Sequence, residues 1–280
     1  SMAQITDLYI YPVKSLKGIT LNEAHTGLRG FRYDREWMIT DSDYHFISQR
    51  EVESMATLET GIDVDSLILR SDTNQFSVPL ESQKVNKVRA TVWDDICDAY
   101  DEGDEVSNWL TDELGEYKGS SLRLVRFSVD GERPVPEEYL NGVKAQSAFS
   151  DQFPYLITSW ESLGKLNQGL SDNNSKEVSM NRFRPNIVVK GVDDIEKITS
   201  SDLSCGESSY SFGLRKPCKR CKIVTIDQDT GEIMEPKEPL ATLVKLNFSD
   251  AIKGAFFGQN AILLSDDCEI RVGDELNLSS

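Results

Sequence analysis

The sequence has no long hydrophobic run. Across its 280 residues, no stretch approaches the roughly 18 uninterrupted apolar residues that a membrane-spanning helix requires. Its first residues also lack the basic region followed by an apolar region that marks a secretory signal. The sequence therefore predicts a cytoplasmic protein with no membrane association.

Cysteine and histidine are scarce. Five cysteines are an odd number in a large chain, which argues against the disulfide framework of a small secreted protein. Neither His25 nor His45 stands at a spacing typical of catalysis or metal binding. We therefore expect reduced thiols and no site built on histidine.

Basic residues are fewer than acidic ones. The chain has 30 Lys and Arg against 47 Asp and Glu, for a net charge of −17. This balance repels nucleic-acid phosphates and anionic lipid headgroups, so we expect no nucleic-acid partner. A hydrophobic fraction of 39% with 28% charged residues is that of a globular chain with a real core. Any anionic ligand must then be held by local basic residues.

Short apolar or alternating runs separated by turn residues fill most of the chain and predict a β-rich fold. Helices are predicted at DEVSNWLTDELG, ending at Gly115, and at EPLATLVKLN. A third is predicted at ESLGKLNQGL, where Thr158 and Glu161 have the spacing of a capping box. KIVTID is predicted to be a strand that enters a hairpin at DQDTG and continues into EIM.

The segment DGERPVPEEYLNGV, with two prolines and two glycines, is typical of a loop or lid. We place a domain boundary just before it, near Ser121. The predicted domains are residues 1–121 and 122–280.

The sharpest local feature is the pair Cys218 and Cys221 in LRKPCKRCKIVTID. Five of the eight residues from Arg215 to Lys222 are basic. Nearby cations favour the thiolate, so a lowered cysteine pKa is expected here. A structural zinc site would lack two ligands, and a thioredoxin-like pair should open a helix rather than precede a strand. The alternatives left open are a single thiolate ligand for a metal or cofactor and two small buried side chains.

Two further basic segments stand out. Lys14 and Ser15 lie at a turn in YPVKSLKG, where a lysine, a hydroxyl and backbone N–H groups suit a phosphate, although most such loops are simply solvated. Arg184 precedes a proline in NRFRPN, which favours an extended backbone and would aim its guanidinium in one direction. Arg35 and Asp151 are ambiguous on their own.

In this order, the segments resemble the MOSC family of molybdenum-cofactor proteins preceded by that family's N-terminal β-barrel domain, and within it the amidoxime-reducing components. The matching segments are YPVKSLKG, GLRGFRYDREWMI, FSDQFPYLITSWESL, NRFRPNIVVKG and CKRCKIVTIDQDTGEIMEPKEPLATL. The resemblance implies a mixed α/β, β-rich fold. It consists of an N-terminal MOSC-associated β-barrel domain and a MOSC β-barrel domain with a few helices.

The resemblance also implies a site for the molybdenum–molybdopterin cofactor. Cys221 matches the cysteine that binds the metal, and Cys218 would be a neighbour rather than a ligand. Asp151 matches an acid close to the metal, with a catalytic role in moving a proton or orienting water. The residues that match cofactor-binding positions are Lys14, Ser15, Arg35, Arg184 and Asn186.

The activity implied by the resemblance is reduction of small N-hydroxylated compounds, such as hydroxylamines and amidoximes, by oxo transfer. Electrons would come from a separate donor protein of the ferredoxin, flavodoxin or flavin reductase type. The alternative is a binding module that carries molybdenum cofactor or transfers sulfur as a Cys221 persulfide.

Overall fold

The residues that a computed structural model describes, 2–81, 86–250 and 252–279, form eighteen strands and three α-helices. The strands are β1 (Met2–Ile10), β2 (Ile19–Leu21), β3 (Glu23–Gly27), β4 (Gly30–Phe31), β5 (Trp37–Thr40), β6 (Glu59–Ile62), β7 (Ser66–Arg70), β8 (Gln75–Pro79), β9 (Lys87–Val92), β10 (Asp95–Asp101), β11 (Arg123–Phe127), β12 (Tyr155–Ser159), β13 (Ile187–Lys190), β14 (Asp202–Cys205), β15 (Tyr210–Lys219), β16 (Phe256–Leu263), β17 (Glu269–Arg271) and β18 (Glu275–Ser279). The helices are α1 (Asp104–Leu114), α2 (Trp160–Asp172) and α3 (Leu240–Leu246). The β-rich fold with few helices that the sequence predicts is confirmed.

Seven strands close into a barrel. Their order is β13, β12, β16, β15, β14, β18 and β1, and β1 returns to pair with β13. The β12–β13 pair is parallel, and the other pairs in the barrel are antiparallel. The barrel is filled by alternating apolar side chains, to which β1 contributes Ala3, Ile5, Leu8 and Ile10. The inward face alternates up to Ile5 and again from Leu8, and a register shift between Ile5 and Asp7 adds one residue between the two runs.

The rest of the first half forms smaller sheets. One has the order β5, β11, β10 and β9, and another joins β6, β7 and β8. A second core lies between these sheets and α1, with Trp37, Leu67, Leu110 and Leu124 all fully buried. Val13 and Leu16 pack in the same core, which ties the segment after β1 to it.

Strand pairings cross the predicted domain boundary in both directions. β1 lies in the barrel with strands that follow residue 155, whereas β11 pairs with β5 and β10. The division into 1–121 and 122–280 stays a prediction.

Two helices begin or end where the sequence predicts. Helix α1 stops before Gly115, whose φ of 86° is a conformation that glycine adopts without steric cost. Helix α3 begins directly after Pro239. Because Gly115 and Pro239 are local signals, the sequence alone is enough to place the end of α1 and the start of α3.

The predicted capping box of α2 is wrong by one residue. Ser159 is the N-cap, and its Oγ accepts a hydrogen bond from the backbone N–H of Ser162 at 3.2 Å. Thr158 is the penultimate residue of β12, with its hydroxyl directed at a sulfur atom. Glu161 instead accepts a hydrogen bond from the backbone N–H of Gly191 at 3.0 Å, because the strand before the helix continues one residue further than the pattern suggests.

The predicted strand at KIVTID is also wrong. Residues Lys222–Thr225 form one turn of 3-10 helix, closed by the N–H of Val224 bonding to the carbonyl of Cys221. The cysteine pair lies at and after the end of β15 rather than before a strand. No strand is assigned at EIM among the described residues. The β-branched residues here favour a strand by propensity, but burial of Val224 against the α2–α3 core decides the local structure.

In the part of the chain that the structure describes, no helix combines the length and the apolar character needed to cross a membrane.

Candidate functional site

The predicted site residues meet at one cavity of about 120 Å³ at an end of the barrel. They arrive from the turn after β1, the turn before β5, the loop before β12, the loop before β13 and the segment after β15. The residues brought together are Lys14, Ser15, Arg35, Asp151, Arg184, Asn186 and Cys221. We call this the basic cavity, because its lining includes six Lys or Arg side chains and one carboxylate, that of Asp151. Its charge is thus opposite to that of the whole chain.

Arg35 is fixed by a buried carboxylate. Its Nη1 lies 2.9 Å from Oδ2 and 3.1 Å from Oδ1 of Asp34, which also accepts the backbone N–H of Tyr11. Burial alone would lower the pKa of Arg35, but Asp34 outweighs it and raises that pKa. Arg35 therefore presents a permanent, firmly oriented guanidinium to the cavity.

Asn186 is held by the strands around it. Its Oδ1 accepts the N–H of Leu156 at 3.1 Å and faces Nη1 of Arg35 at 3.4 Å, and its Nδ2 donates to the carbonyl of Tyr9. With these partners, Asn186 ties β1, β12 and β13 together beneath the cavity. Its amide oxygen also helps to orient the guanidinium of Arg35.

The extended backbone predicted for Arg184 is wrong. The residue has φ 53° and ψ 51°, in the left-handed region, because it closes the 3-10 turn Met180–Phe183 with a hydrogen bond to Asn181. Its guanidinium lies over the ring of Tyr11 at 4.4 Å, beside that of Arg35 at 4.3 Å. The fixed direction that the sequence predicts is obtained, but from stacking and the turn rather than from the proline.

Burial makes Arg184 an unusual cation. The side chain is buried, and its Nη2 finds no hydrogen-bond partner among the described residues. Burial lowers its pKa to about 10, with the proximity of Tyr11 opposing the shift. A buried guanidinium nitrogen without an acceptor costs free energy, and an anionic ligand in the cavity would remove that cost.

Lys14 and Asp151 form an ion pair across the cavity. Lys14 Nζ lies 2.6 Å from Asp151 Oδ1, which also accepts the indole N–H of Trp93 at 2.9 Å. Desolvation works to raise the pKa of Asp151, but Lys14 and Trp93 hold it well below its usual range, although the side chain is 72% exposed. Burial lowers the pKa of Lys14, and Asp151 opposes that shift. At neutral pH the pair is therefore a lysine cation and an aspartate anion.

The lowered thiol pKa expected for the cysteine pair is wrong for Cys218. Burial raises its pKa, even though Arg220 Nη1 lies 3.1 Å from its sulfur. Desolvation of a thiolate outweighs one neighbouring cation here. Cys218 is therefore a thiol that packs against Arg220.

Cys221 is the exposed member of the pair. Its Sγ lies 3.9 Å from Nη1 of Arg50, whose guanidinium stacks on Trp93 at 4.2 Å and lies 5.5 Å from the ring centre of Phe46. Lys222 donates to the carbonyl of Arg50 at 3.2 Å and so joins the two segments. The free thiol thus opens into the cavity next to a cation held by aromatic rings.

Left-handed backbone is concentrated at this site. Ser15, Arg35, Arg184 and Trp93 have φ between 46° and 73°, a region that non-glycine residues seldom adopt. Each such residue costs of order 1–3 kcal/mol and persists only where the surrounding structure holds it. The packing and hydrogen bonds around the cavity therefore have to hold these four residues in place.

Residues 2–117 match the family model described as the MOSC N-terminal beta barrel domain, and residues 144–277 match the MOSC domain. Mitochondrial amidoxime-reducing component 1 of Homo sapiens is 31% identical over 98% of this chain and 82% of its own length. Mitochondrial amidoxime reducing component 2 of Bos taurus is 33% identical over 88% of this chain and 73% of its own length. The chain belongs to the MOSC family. The molybdenum cofactor sulfurase of Homo sapiens is also similar, at 27% identity, but this MOSC chain spans 32% of its length.

Several residues of the MOSC site were missed by the sequence reasoning. Arg50 and Trp93 lie in no motif, and Gln49 reaches the site by pairing with Gln228, which is 179 residues away. Arg133 lies in the proline-rich loop and donates to the backbone carbonyls of Ala148, Ser150 and Asp151. Gln49 and Gln228 stand among other polar residues, in ISQREV and TIDQDTG, so no local pattern singles them out or reveals the partner.

The donor set fits a molybdenum cofactor better than a metal held by the protein alone. Among the described residues, no group of three or more His, Cys, Asp or Glu side chains could hold a metal ion, so a structural zinc site gains no support. A single exposed thiol, that of Cys221, beside buried cations suits a metal that brings its own anionic ligand. The Nη2 of Arg184, which has no hydrogen-bond partner among the described residues, also suits an anionic ligand.

Proposed function

We propose that the chain is a molybdenum-cofactor-dependent reductase of small N-hydroxylated compounds. The comparisons support a MOSC function related to the molybdenum cofactor, and the basic cavity supports the finer assignment. The observation that bears most weight is the convergence of the Cys221 thiol and six cations on one cavity of a chain with net charge −17. Such a site favours an anionic ligand that carries a metal able to bind a thiolate.

In this proposal each cavity residue has its own role in binding the cofactor. Cys221 would bind the metal as thiolate, and Arg35, Arg184, Lys14 and Ser15 would hold the pterin and its phosphate. A bound molybdenum cofactor supplies the two-electron, oxygen-transfer chemistry. The protein supplies position and charge, because guanidinium groups fixed beforehand cost no reorganisation when the reaction occurs.

The overall reaction consumes two electrons and two protons and releases water with the amine or amidine. Asp151 is the candidate for orienting water and passing protons. As an anion it can orient a water molecule through its carboxylate oxygens, and the proton that the pair can pass on is held at Lys14 Nζ, 2.6 Å away. Electrons would come from a separate protein of the ferredoxin, flavodoxin or flavin reductase type. The cytoplasmic location stays a prediction, and the amidoxime-reducing relatives are named mitochondrial.

The test is metal analysis of protein made in a host that synthesises the cofactor, with Cys221→Ala and Cys218→Ala as a matched pair. We expect about one molybdenum per chain in the wild type and in Cys218→Ala and none in Cys221→Ala, because the half-buried Cys218 thiol packs on Arg220 instead. Benzamidoxime with a chemical electron donor should then yield benzamidine.

The outcomes separate the possibilities. Wild-type protein without molybdenum overturns the proposal. Bound molybdenum with no benzamidoxime reduction overturns the reductase and favours the cofactor carrier or the sulfur-transfer module. Equal metal loss in both cysteine variants overturns the assignment of Cys221 as sole thiolate ligand.

A further inference from the structure

A pair of buried glutamines lies directly behind Arg184. Gln49 is in the loop after β5, Gln228 follows the 3-10 turn Lys222–Thr225, and both are buried. Gln228 Nε2 donates to Gln49 Oε1 at 2.8 Å, and Gln49 Nε2 lies 3.2 Å from Gln228 Oε1. The two amides therefore face each other in a reciprocal pair.

The surrounding groups leave each amide a single orientation. Gln228 Nε2 also faces the carbonyl of Ile226 at 3.3 Å, so its Oε1 must point the other way, where Nη1 of Arg184 donates to it at 3.3 Å. A flipped Gln228 amide would place its N–H groups against the guanidinium. The acceptor that Arg184 needs is thus provided by Gln228 and fixed by Gln49.

Gln49 also holds the opposite wall of the cavity. Its Nε2 donates to the carbonyl of Ser15 at 2.7 Å, and its backbone N–H points to Ser15 Oγ at 3.4 Å. Ser15 has φ 73° and requires such support to remain left-handed. One hydrogen-bonded chain, Ser15–Gln49–Gln228–Arg184, therefore connects two of the segments proposed to bind the cofactor.

The neutrality of the glutamines matters. A carboxylate at Gln228 would form a buried ion pair with Arg184 and neutralise the charge that the cavity offers, as Asp34 does for Arg35. The neutral amide accepts one hydrogen bond from Arg184, leaves the cation uncompensated and leaves the Nη2 of Arg184 without a partner among the described residues. This arrangement keeps Arg184 both oriented and available.

We propose that Gln228, oriented by Gln49, is the positioning residue that keeps Arg184 open to the anionic part of the bound ligand. The inference rests on the proposed function, in which that part is the pterin phosphate. Neither glutamine touches the reacting atoms, and each acts through another residue.

The variants are Gln228→Glu, which keeps the acceptor and adds charge, and Gln228→Met, which removes the acceptor and adds none. Gln75→Glu on β8 is the charge-matched control. Gln75 is exposed and accepts a hydrogen bond from Arg70, and neither residue lines the cavity. Inorganic phosphate binding to cofactor-free protein is measured by calorimetry, alongside molybdenum content and the thermal transition.

For Gln228→Glu we expect phosphate affinity to fall about tenfold or more, because the phosphate loses a charge-assisted hydrogen bond to Arg184. Its molybdenum content should fall in parallel, whereas its thermal transition should fall no further than that of Gln228→Met, because both variants lose the Nε2 donor to Gln49 and Ile226 and only the glutamate gains an ion pair with Arg184. Gln228→Met should lose less affinity than Gln228→Glu, and Gln75→Glu none. If Gln228 only stabilised the fold, phosphate affinity would instead fall in step with the thermal transition of each variant.

Wild-type affinity in Gln228→Glu, or an equal loss in Gln228→Met, would overturn the inference. So would a wild-type protein that binds no phosphate. Failure of the proposed function is distinguishable, since it would appear as wild-type protein that binds phosphate yet acquires no molybdenum.

Discussion

The ion pair between Lys14 and Asp151 sets the charge state at the cavity mouth. Because the pKa of Asp151 is lowered in the folded state, its stabilising contribution is present above the ordinary aspartate pKa of about 4 and is lost as pH falls through the lowered value. We predict that Asp151 shows no titration near pH 4 in the wild type, and that Lys14→Met moves its pKa up toward that ordinary value. Carbon NMR of the Asp151 carboxyl group measures both.

Lys197→Met is the control for that experiment, since Lys197 also pairs with an aspartate, Asp250 at 3.5 Å, but away from the cavity. It should leave the titration of Asp151 unchanged. An Asp151 that titrates in the ordinary range in wild-type protein would show that the ion pair does not control it.

Single residues show what sequence can and cannot reveal about the site. Lys14, Arg35 and Cys221 stand in motifs that a family resemblance identifies, and the structure places them at one cavity. Gln49 and Gln228 stand in no motif, and their role exists only through a contact between distant segments. Residues that stand in a motif could be located from the sequence, whereas two residues that meet only in the folded chain could not.

At the scale of elements, the start of α2 offers a test of the corrected cap. Ser159 accepts the N–H of Ser162, so we predict that Ser159→Ala destabilises the protein by about 0.5–2 kcal/mol. Chemical denaturation measures the free energy of unfolding. Thr158→Val, which keeps the volume at the residue first predicted to be the cap, should cost less. A larger cost for Thr158→Val would reinstate the predicted capping box.

The elements that were predictable are those whose signals are local. Helix α1 combines an apolar face with a terminal Gly115, and α3 follows Pro239, so neither depends on distant contacts. The segment after Cys221 differs, because its apolar side chains fill a core beside two helices. Its sequence is compatible with a strand, and tertiary packing selects a 3-10 turn.

At the scale of the whole molecule, β1 decides how the two halves are joined. It is the strand that closes the barrel, pairing with β13 on one side and β18 on the other. It also leads directly into Lys14 and Ser15, so barrel closure and cavity formation are coupled. The barrel therefore contains one strand of the first predicted domain, β1, beside strands of the second.

This coupling predicts the behaviour of fragments. A fragment of residues 144–280 lacks β1, so the barrel would have two open edges, at β13 and β18, and would lose the core side chains Ile5 and Leu8. We expect it to aggregate or to lack a cooperative thermal transition. Met2 pairs with Asn277 in antiparallel register, so a short linker can join the end of β18 to the start of β1.

The permuted fragment, residues 144–280 followed by the linker and residues 2–22, should therefore regain a cooperative transition, because it restores both edge pairings. A matched version with Ile5→Asp and Leu8→Asp keeps the length and removes the buried face, and should not regain it. Calorimetry of the three fragments measures the difference. If residues 144–280 alone unfold as cooperatively as the permuted fragment, β1 is dispensable for the barrel, and the cavity must be assembled independently of its closure.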